Sequence, residues 1–274
     1  MVLKGNLLYN GDFEAGTTEG WLNGIFGLPH DLDFTVSEDA KYRGDYGGKV
    51  YAGSSIGSSC IGYDKLCSFE EYEGYLYTVY CKIESGLLIY PKLYGADDNG
   101  NYIRSFDLGY LNSISGWQLF QAILRGVGEI THFKVGIYAY TNTLGDTYYF
   151  DEAKLIPLRS LKSHHISYKK TSLGVTSDMS WYCYLACLGS CKLRSIVRTT
   201  NVSGTSPTLD VTVRAVILED DVCQYTLTHS QFTGDDFEEV TLDVANIGYI
   251  YVEYALGGSS PSFDIRHIIR LEPY

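Results

Sequence analysis

The sequence predicts an all-β protein of two consecutive β-sandwich domains, and three observations carry that reading. Apolar and polar residues alternate with a period of two along many segments, while no segment sustains an apolar period of 3.6 residues. Turn signals separate those segments at short spacing, among them Arg43-Gly44-Asp45, Asp97-Asp98-Asn99-Gly100-Asn101, Ser203-Gly204 and Gly257-Gly258. Tyrosine is the compositional outlier, with 25 residues beside 29 glycines and only 6 prolines. Aromatic residues fit pleated, half-buried surfaces, and glycine supplies the turns between short strands. Such a pattern belongs to sandwiches or jelly rolls. The 274-residue length exceeds what one ordinary core serves.

In order along the chain, Tyr75-Leu76-Tyr77-Thr78-Val79-Tyr80-Cys81-Lys82 reads as a half-buried antiparallel strand, its odd positions inward and Thr78, Tyr80 and Lys82 outward. Asp97 to Asn101 lacks the later acidic ligand of a calcium loop and reads as a hairpin turn. The segment Phe133 to Tyr140 alternates likewise, with Lys134, Tyr138 and Tyr140 outward. A strand over Tyr148 to Pro157 then gives way to the basic, polar stretch Arg159-Ser160-Leu161-Lys162-Ser163-His164-His165, read as a linker between domains 1–158 and 159–274. Beyond it, Cys183, Cys187 and Cys191 are four apart, which on one strand places them on one face as small buried hydrophobes.

Three features recur in order in the first domain. It opens with Asn6-Leu7-Leu8-Tyr9-Asn10-Gly11-Asp12-Phe13-Glu14 and reaches Trp21, carries YRGDYGGKVYAG at 42–53 and SGWQLFQAIL at 115–124, and closes with YYFDEAKLIP at 148–157. This set resembles the carbohydrate-binding modules of the galactose-binding-like jelly-roll superfamily over about 150 residues. In those modules the acidic groups of the opening and closing motifs hold a structural calcium ion, and the matching residues here are Asp12, Glu14 and Asp151. The same carboxylates can equally cap turns by accepting backbone hydrogen bonds. Sugar binding needs aromatic faces and a few placed polar groups. The alternation would put Tyr80, Lys82, Lys134, Tyr138 and Tyr140 on one outward face as a glycan site, whereas Trp117 reads as core.

The second domain echoes itself. Gly204-Thr205-Ser206-Pro207-Thr208-Leu209-Asp210 and Gly258-Ser259-Ser260-Pro261-Ser262-Phe263-Asp264 match, and each lies between two strand-like segments, which reads as a pair of similar hairpins in a second β-sandwich. The pattern resembles β-sandwich modules of phage and prophage structural proteins, including capsid-decorating and tail-associated ones. That resemblance implies a virion-surface role with a capsid or tail protein lattice as partner and the option of a homo-oligomer.

Composition narrows function. A net charge of -12 argues against binding nucleic acid by phosphate neutralisation. The opening residues lack a signal peptide and no run of 18 apolar residues occurs, so synthesis in the cytoplasm and no membrane partner are expected. No HExxH, GxSxG, P-loop or dinucleotide fingerprint is present. The expectation is a non-enzymatic surface-binding protein with structural calcium as the only candidate cofactor. A phage-like decorating or tail-associated role, a carbohydrate-binding adhesion protein with surface glycans as partners, and a component of a cell-surface layer or filament all fit it.

Overall fold

The chain folds as two units, Met1–Ser160 and Leu161–Tyr274, in the computed structural model. The structure describes residues 6–70, 72–112, 116–126, 128–158, 165–217 and 222–274, and of 222–224 only the backbone. The linker expected at Arg159 to His164 lies outside these residues, as does the side chain of Cys223. Both units are built of antiparallel strands, and no helix among the described residues is long and apolar enough to cross a membrane.

In the first unit the strands are β1 (Trp21–Asn23), β2 (Asp33–Ser37), β3 (Gly47–Tyr51), β4 (Gly57–Tyr63), β5 (Cys67–Ser68), β6 (Gly74–Ser85), β7 (Leu88–Ala96), β8 (Tyr102–Asp107), β9 (Gln118–Leu124), β10 (His132–Thr141) and β11 (Thr147–Leu158). One sheet runs β1-β4-β10-β7-β8, with β5 also on β10, and the other runs β9-β6-β11-β3-β2. Alternation decides which side chains lie between them. Tyr75, Tyr77, Val79 and Cys81 of β6 and Phe133, Val135, Ile137 and Ala139 of β10 are buried. They meet across the sandwich, where the Tyr75 and Phe133 rings lie 5.0 Å apart and the Tyr77 hydroxyl donates to the Gly136 carbonyl at 3.3 Å. An aromatic pair of this kind contributes about 0.5–1.5 kcal/mol beyond its buried area.

The opening and closing motifs recur together because they pack together. Asn6 donates to the Ala153 carbonyl (3.0 Å) and accepts from the Leu155 amide (2.8 Å), while Ala153 donates to the Gly11 carbonyl. Phe13 and Trp21 are buried against Phe150, at 5.0 and 5.5 Å between ring centres. Trp117, in contrast, is only half-buried and rests on Tyr42 (5.7 Å) and Tyr149 (6.4 Å) outside the core.

The second unit comprises β12 (Ile166–Val175), β13 (Met179–Cys183), β14 (Leu185–Ile217), β15 (Val222–Thr228), β16 (Asp236–Ile247) and β17 (Tyr249–Pro273). Cys183 lies in β13, whereas Cys187 and Cys191 lie in β14; all three are buried. The two GxSPxxD segments are not hairpins. Each lies inside one of the two long strands, β14 and β17, which pair antiparallel with each other from Cys191↔Pro273 to Val216↔Tyr249. The register shifts between Thr200 and Thr208, and both Pro207 and Pro261 fall in these irregular stretches, where a residue without an N–H interrupts no regular ladder. Bends rather than reversals result, so each long strand serves two sheets. The N-terminal half of β14 and the C-terminal half of β17 lie between β16 and β12, and their other halves lie between β15 and β13.

Mutual contact explains the echo. Gly204 (φ 119°) and Gly258 (φ 95°) hold conformations that side chains rarely adopt. A Cβ on Gly204 would come within 2.7 Å of the Ser260 carbonyl oxygen, and one on Gly258 within 2.4 Å of that of Ser206. Both strain and collision oppose a side chain. Gly204→Ala and Gly258→Ala are each expected to destabilise this unit by about 1–3 kcal/mol, read from the denaturant midpoint of the full chain. An unchanged midpoint would show that the crossing is not close-packed.

Candidate functional site

The outer face of the β1-β4-β10-β7-β8 sheet gathers the polar and aromatic groups best suited to a ligand. Strand register puts Tyr138 of β10 opposite Tyr90 of β7, and Lys92 of β7 opposite Asp107 of β8. The ring centres of Tyr138 and Tyr90 lie 5.8 Å apart, and Tyr90 lies 5.9 Å from Tyr110. The Lys92 ammonium sits 4.9 Å from the centre of the Tyr138 ring and 5.6 Å from that of Tyr90, and ion-pairs with Asp107 at 2.6 Å. Beside this row on the same face, Ile25, Cys60 and Tyr94 form a buried cluster against which Tyr138, Phe26 and Leu28 pack. Burial pushes the Cys60 thiol and the Tyr94 hydroxyl up, so both stay protonated and neutral.

Further along the same face the Lys134 ammonium lies 5.1 Å from the Phe26 ring centre and donates to the Asp64 carbonyl. Partial burial lowers its pKa, an effect that nearby Asp64 opposes. Phe26 in turn meets Tyr102 at 5.7 Å. Tyr140 is exposed near the end of β10.

The expected glycan set is therefore divided. Lys134, Tyr138 and Tyr140 share this face, but Tyr80 and Lys82 belong to β6, in the opposite sheet, whose outward side points the other way. Alternation orients a side chain relative to its own sheet and carries no information on which sheet the strand joins. Tyr80 is stacked on Tyr42 at 3.7 Å, and Lys82 pairs with Glu84 and lies over Tyr149. Tyr90, Lys92, Asp107 and Tyr110 were not anticipated, although the alternation Tyr90-Pro91-Lys92-Leu93-Tyr94 carries the signal. Pro91 disguises it, as proline argues against a central strand; here its carbonyl still accepts from the Leu108 amide at 2.8 Å.

Of the carboxylates expected to hold calcium, Glu14 and Asp151 face backbone amides. The oxygens of Glu14 accept from the amides of Asp45 and Tyr46 (2.9–3.1 Å). Those of Asp151 face the amides of Tyr42, Arg43 and Glu152 (2.6–3.1 Å). Asp12 is exposed. Through these amide donors Glu14 and Asp151 act as caps on the 42–46 segment. Burial nevertheless pushes the Asp151 carboxyl up to about 6 against those three amides. Among the described residues no group of three or more His, Cys, Asp or Glu is placed to hold a metal.

The second unit holds a buried polar chain that no sequence motif announced. Ser195 Oγ lies 2.8 Å from His229 Nε2 and 2.7 Å from His267 Nε2. His229 Nδ1 lies 2.9 Å from Glu238 Oε2, and His267 Nδ1 lies 3.0 Å from the Tyr254 hydroxyl. Burial opposes the charge on Glu238, but hydrogen bonds from Ser230 and His229 hold its carboxyl below the usual range. An ionised carboxylate only accepts, so His229 carries its proton on Nδ1 and accepts at Nε2 from Ser195. That hydroxyl then accepts from His267 Nε2, whose Nδ1 accepts from Tyr254. The order of residues is that of a hydrolytic triad, but Ser195 is 0% exposed and its hydroxyl is engaged by a histidine on each side, which places the network in the interior of the unit.

No family model matches the sequence, and no curated protein does. Among solved structures, the tandem CBM22-1–CBM22-2 domains of Paenibacillus barcinonensis Xyn10C align with 99% of this chain and 99% of their own, at 11% identity and a TM-score of 0.41. The C-terminal family 22 carbohydrate-binding module of Clostridium thermocellum Xyn10B aligns with 56% of this chain and 95% of its own, at 16% and 0.43. TmCBM61, solved with β-1,4-galactotriose, aligns with 56% and 98%, at 18% and 0.39. The fold assignment rests on the strand pairing described above.

The buried histidines give a pH dependence. Burial, reinforced by His229, lowers His267 to about 3, and burial lowers His229 despite Glu238. An unfolded histidine titrates near 6.5. Between about pH 6.5 and 3 the unfolded chain therefore binds protons that the native chain refuses, and stability falls as pH falls. His267 alone should contribute a limiting slope of about 1.4 kcal/mol per pH unit within that window. Denaturant unfolding from pH 7.5 to 4.5, compared with His267→Gln, checks this; equal slopes would place the titration elsewhere.

Proposed function

We propose that this chain is a non-enzymatic carbohydrate-binding protein whose N-terminal unit holds a neutral glycan on the outer face of the β1-β4-β10-β7-β8 sheet. One observation carries the reading, namely the row of Tyr138, Tyr90 and Tyr110 with the Lys92–Asp107 pair beside it. Ring faces offer apolar contact to the C–H face of a sugar, and the ion pair offers donors and acceptors to its hydroxyls. Because the charge of Lys92 is already matched by Asp107, a neutral sugar leaves no charge uncompensated. The sequence resemblance of the opening and closing motifs to carbohydrate-binding modules supports the same reading.

Tyr138→Ala or Lys92→Ala in the full chain is expected to weaken binding to responsive neutral oligosaccharides by roughly tenfold or more, whereas Tyr80→Ala, on the opposite sheet, is expected to leave it unchanged. Calorimetry with a glycan panel reads both. Equal losses on the two sheets would reject the assigned face, and release of reducing sugar would overturn the non-enzymatic reading.

Attachment to a virion lattice belongs to the same proposal and is supported by the resemblance of the C-terminal pattern. Linked or repeated modules gain affinity through effective concentration without new contacts. The full chain should then co-sediment with assembled particles far better than it binds isolated lattice subunits, and equal affinity for both would reject multivalent attachment.

A further inference from the structure

The C-terminal unit carries a pair of arginines that, among the described residues, make no ion pair with its own carboxylates. Register places Arg198 of β14 directly opposite Arg266 of β17, with Thr171 of β12 beyond Arg266 and Phe237 of β16 beyond Arg198. Both arginines are exposed on the outer face. Like charges directly opposite across a strand pair repel. Among the described residues neither guanidinium has an ion-pair or hydrogen-bond partner. Carboxylates are close by, but they are turned to other donors. Asp264 accepts from the Gly174 amide (2.7 Å) and the Asn201 side chain (2.6 Å), Asp235 from the Val202 amide (3.1 Å), and Asp236 from the Phe237 amide (2.7 Å).

The guanidiniums border two adjoining depressions. One, of about 280 Å³, is lined by both arginines, Thr171, Leu173, Thr200, Asp264 and Ile265; the other, of about 360 Å³, by Arg198, Thr199, Thr200, Asp235, Asp236 and Phe237. Leu173 is 74% exposed and Phe237 59% exposed, so apolar groups flank the charged pair on both sides. Such volumes lie at the small end of ligand sites. They suit a compact body no larger than one or two sugar rings.

We propose that Arg198 and Arg266 form a carboxylate-binding site for a uronic acid residue of an acidic polysaccharide. A guanidinium offers donors in a planar fork that matches a carboxylate, and two of them opposite each other relieve their repulsion by sharing it. Thr171, beside Arg266, and Thr200, two residues along β14 from Arg198, supply hydroxyls for the sugar, and the Phe237 ring beside Arg198 supplies an apolar face for the pyranose. An acidic peptide could offer the carboxylate but has no use for the flanking hydroxyls.

The test is calorimetry of the full chain with oligogalacturonate, its methyl ester, and an oligoglutamate of similar length. Oligogalacturonate is expected to bind with an affinity that falls as salt rises. Methyl esterification, or Arg198→Gln with Arg266→Gln, is expected to weaken it roughly tenfold or more. Both positions are exposed, and an unchanged thermal midpoint in the double variant confirms that it is folded. Lys92→Ala should leave uronate binding intact, which separates this site from that of the N-terminal unit. Absence of oligogalacturonate binding, equal binding of the ester, or unchanged binding by the double variant would overturn the proposal. Oligoglutamate binding as tight as that of the uronate would overturn its sugar part.

Discussion

The antiparallel pairing of β14 with β17 is the contact on which the C-terminal unit depends. Each strand runs through both sheets, so the two bends must occur at the same place and be compatible. Gly204 lies against the Ser260 carbonyl and Gly258 against the Ser206 carbonyl, so each bend is shaped by the other. The register this imposes places side chains on both faces at once. It sets His267 on the inner side within reach of Ser195, and Arg266 on the outer side opposite Arg198. A slip of one residue would turn the histidine to solvent and both arginines toward the core. Network and arginine pair are two consequences of one register.

In the N-terminal unit the comparable constraint is the docking of the opening segment on β11. Residues 6–20 form no strand and dock on β11 by single hydrogen bonds: the Leu7 amide donates to the Leu155 carbonyl, the Asn6 side chain bridges Ala153 and Leu155, and the Gly11 carbonyl accepts from the Ala153 amide. Phe13 and Trp21 then bury against Phe150 and close that end of the sandwich. The segment over residues 42–46 is held by Glu14 and Asp151 through amide hydrogen bonds. Carboxylates turned to backbone donors satisfy groups that would otherwise be unpaired.

Much of this was legible in the sequence, and the losses have one physical origin. The alternation in β6 and β10 correctly separates Tyr75, Tyr77, Phe133 and Val135 from Tyr80, Lys82, Lys134 and Tyr138, because the period of a strand is local. Sheet membership is not local, so Tyr80 and Lys82 could be joined to Tyr138 only by assuming a shared sheet. The GxSPxxD segments fail in the same way. Glycine and proline announce a departure from regular structure, but whether the chain reverses or bends depends on what pairs beside it, and here the partner residues lie 45 to 64 positions away in the chain, from Asp210↔Ala255 to Thr200↔Asp264. Trp117 was read as core from its motif, yet the residues that half-cover it, Tyr42 and Tyr149, come from distant segments. The Ser195 network escaped for the same reason, since its members are contributed by β14, β16, β17 and the segment after β15.

Charge connects the two proposed sites. With a net charge of -12 the chain repels a polyanion as a whole, but at physiological salt that repulsion is screened beyond about 8 Å. The arginine pair therefore acts at contact range and does little to draw an acidic polymer from solution. A neutral face has the opposite character, since tyrosine rings and a matched ion pair make contacts that neither repel nor depend strongly on salt. A polysaccharide with neutral and acidic stretches would meet both conditions.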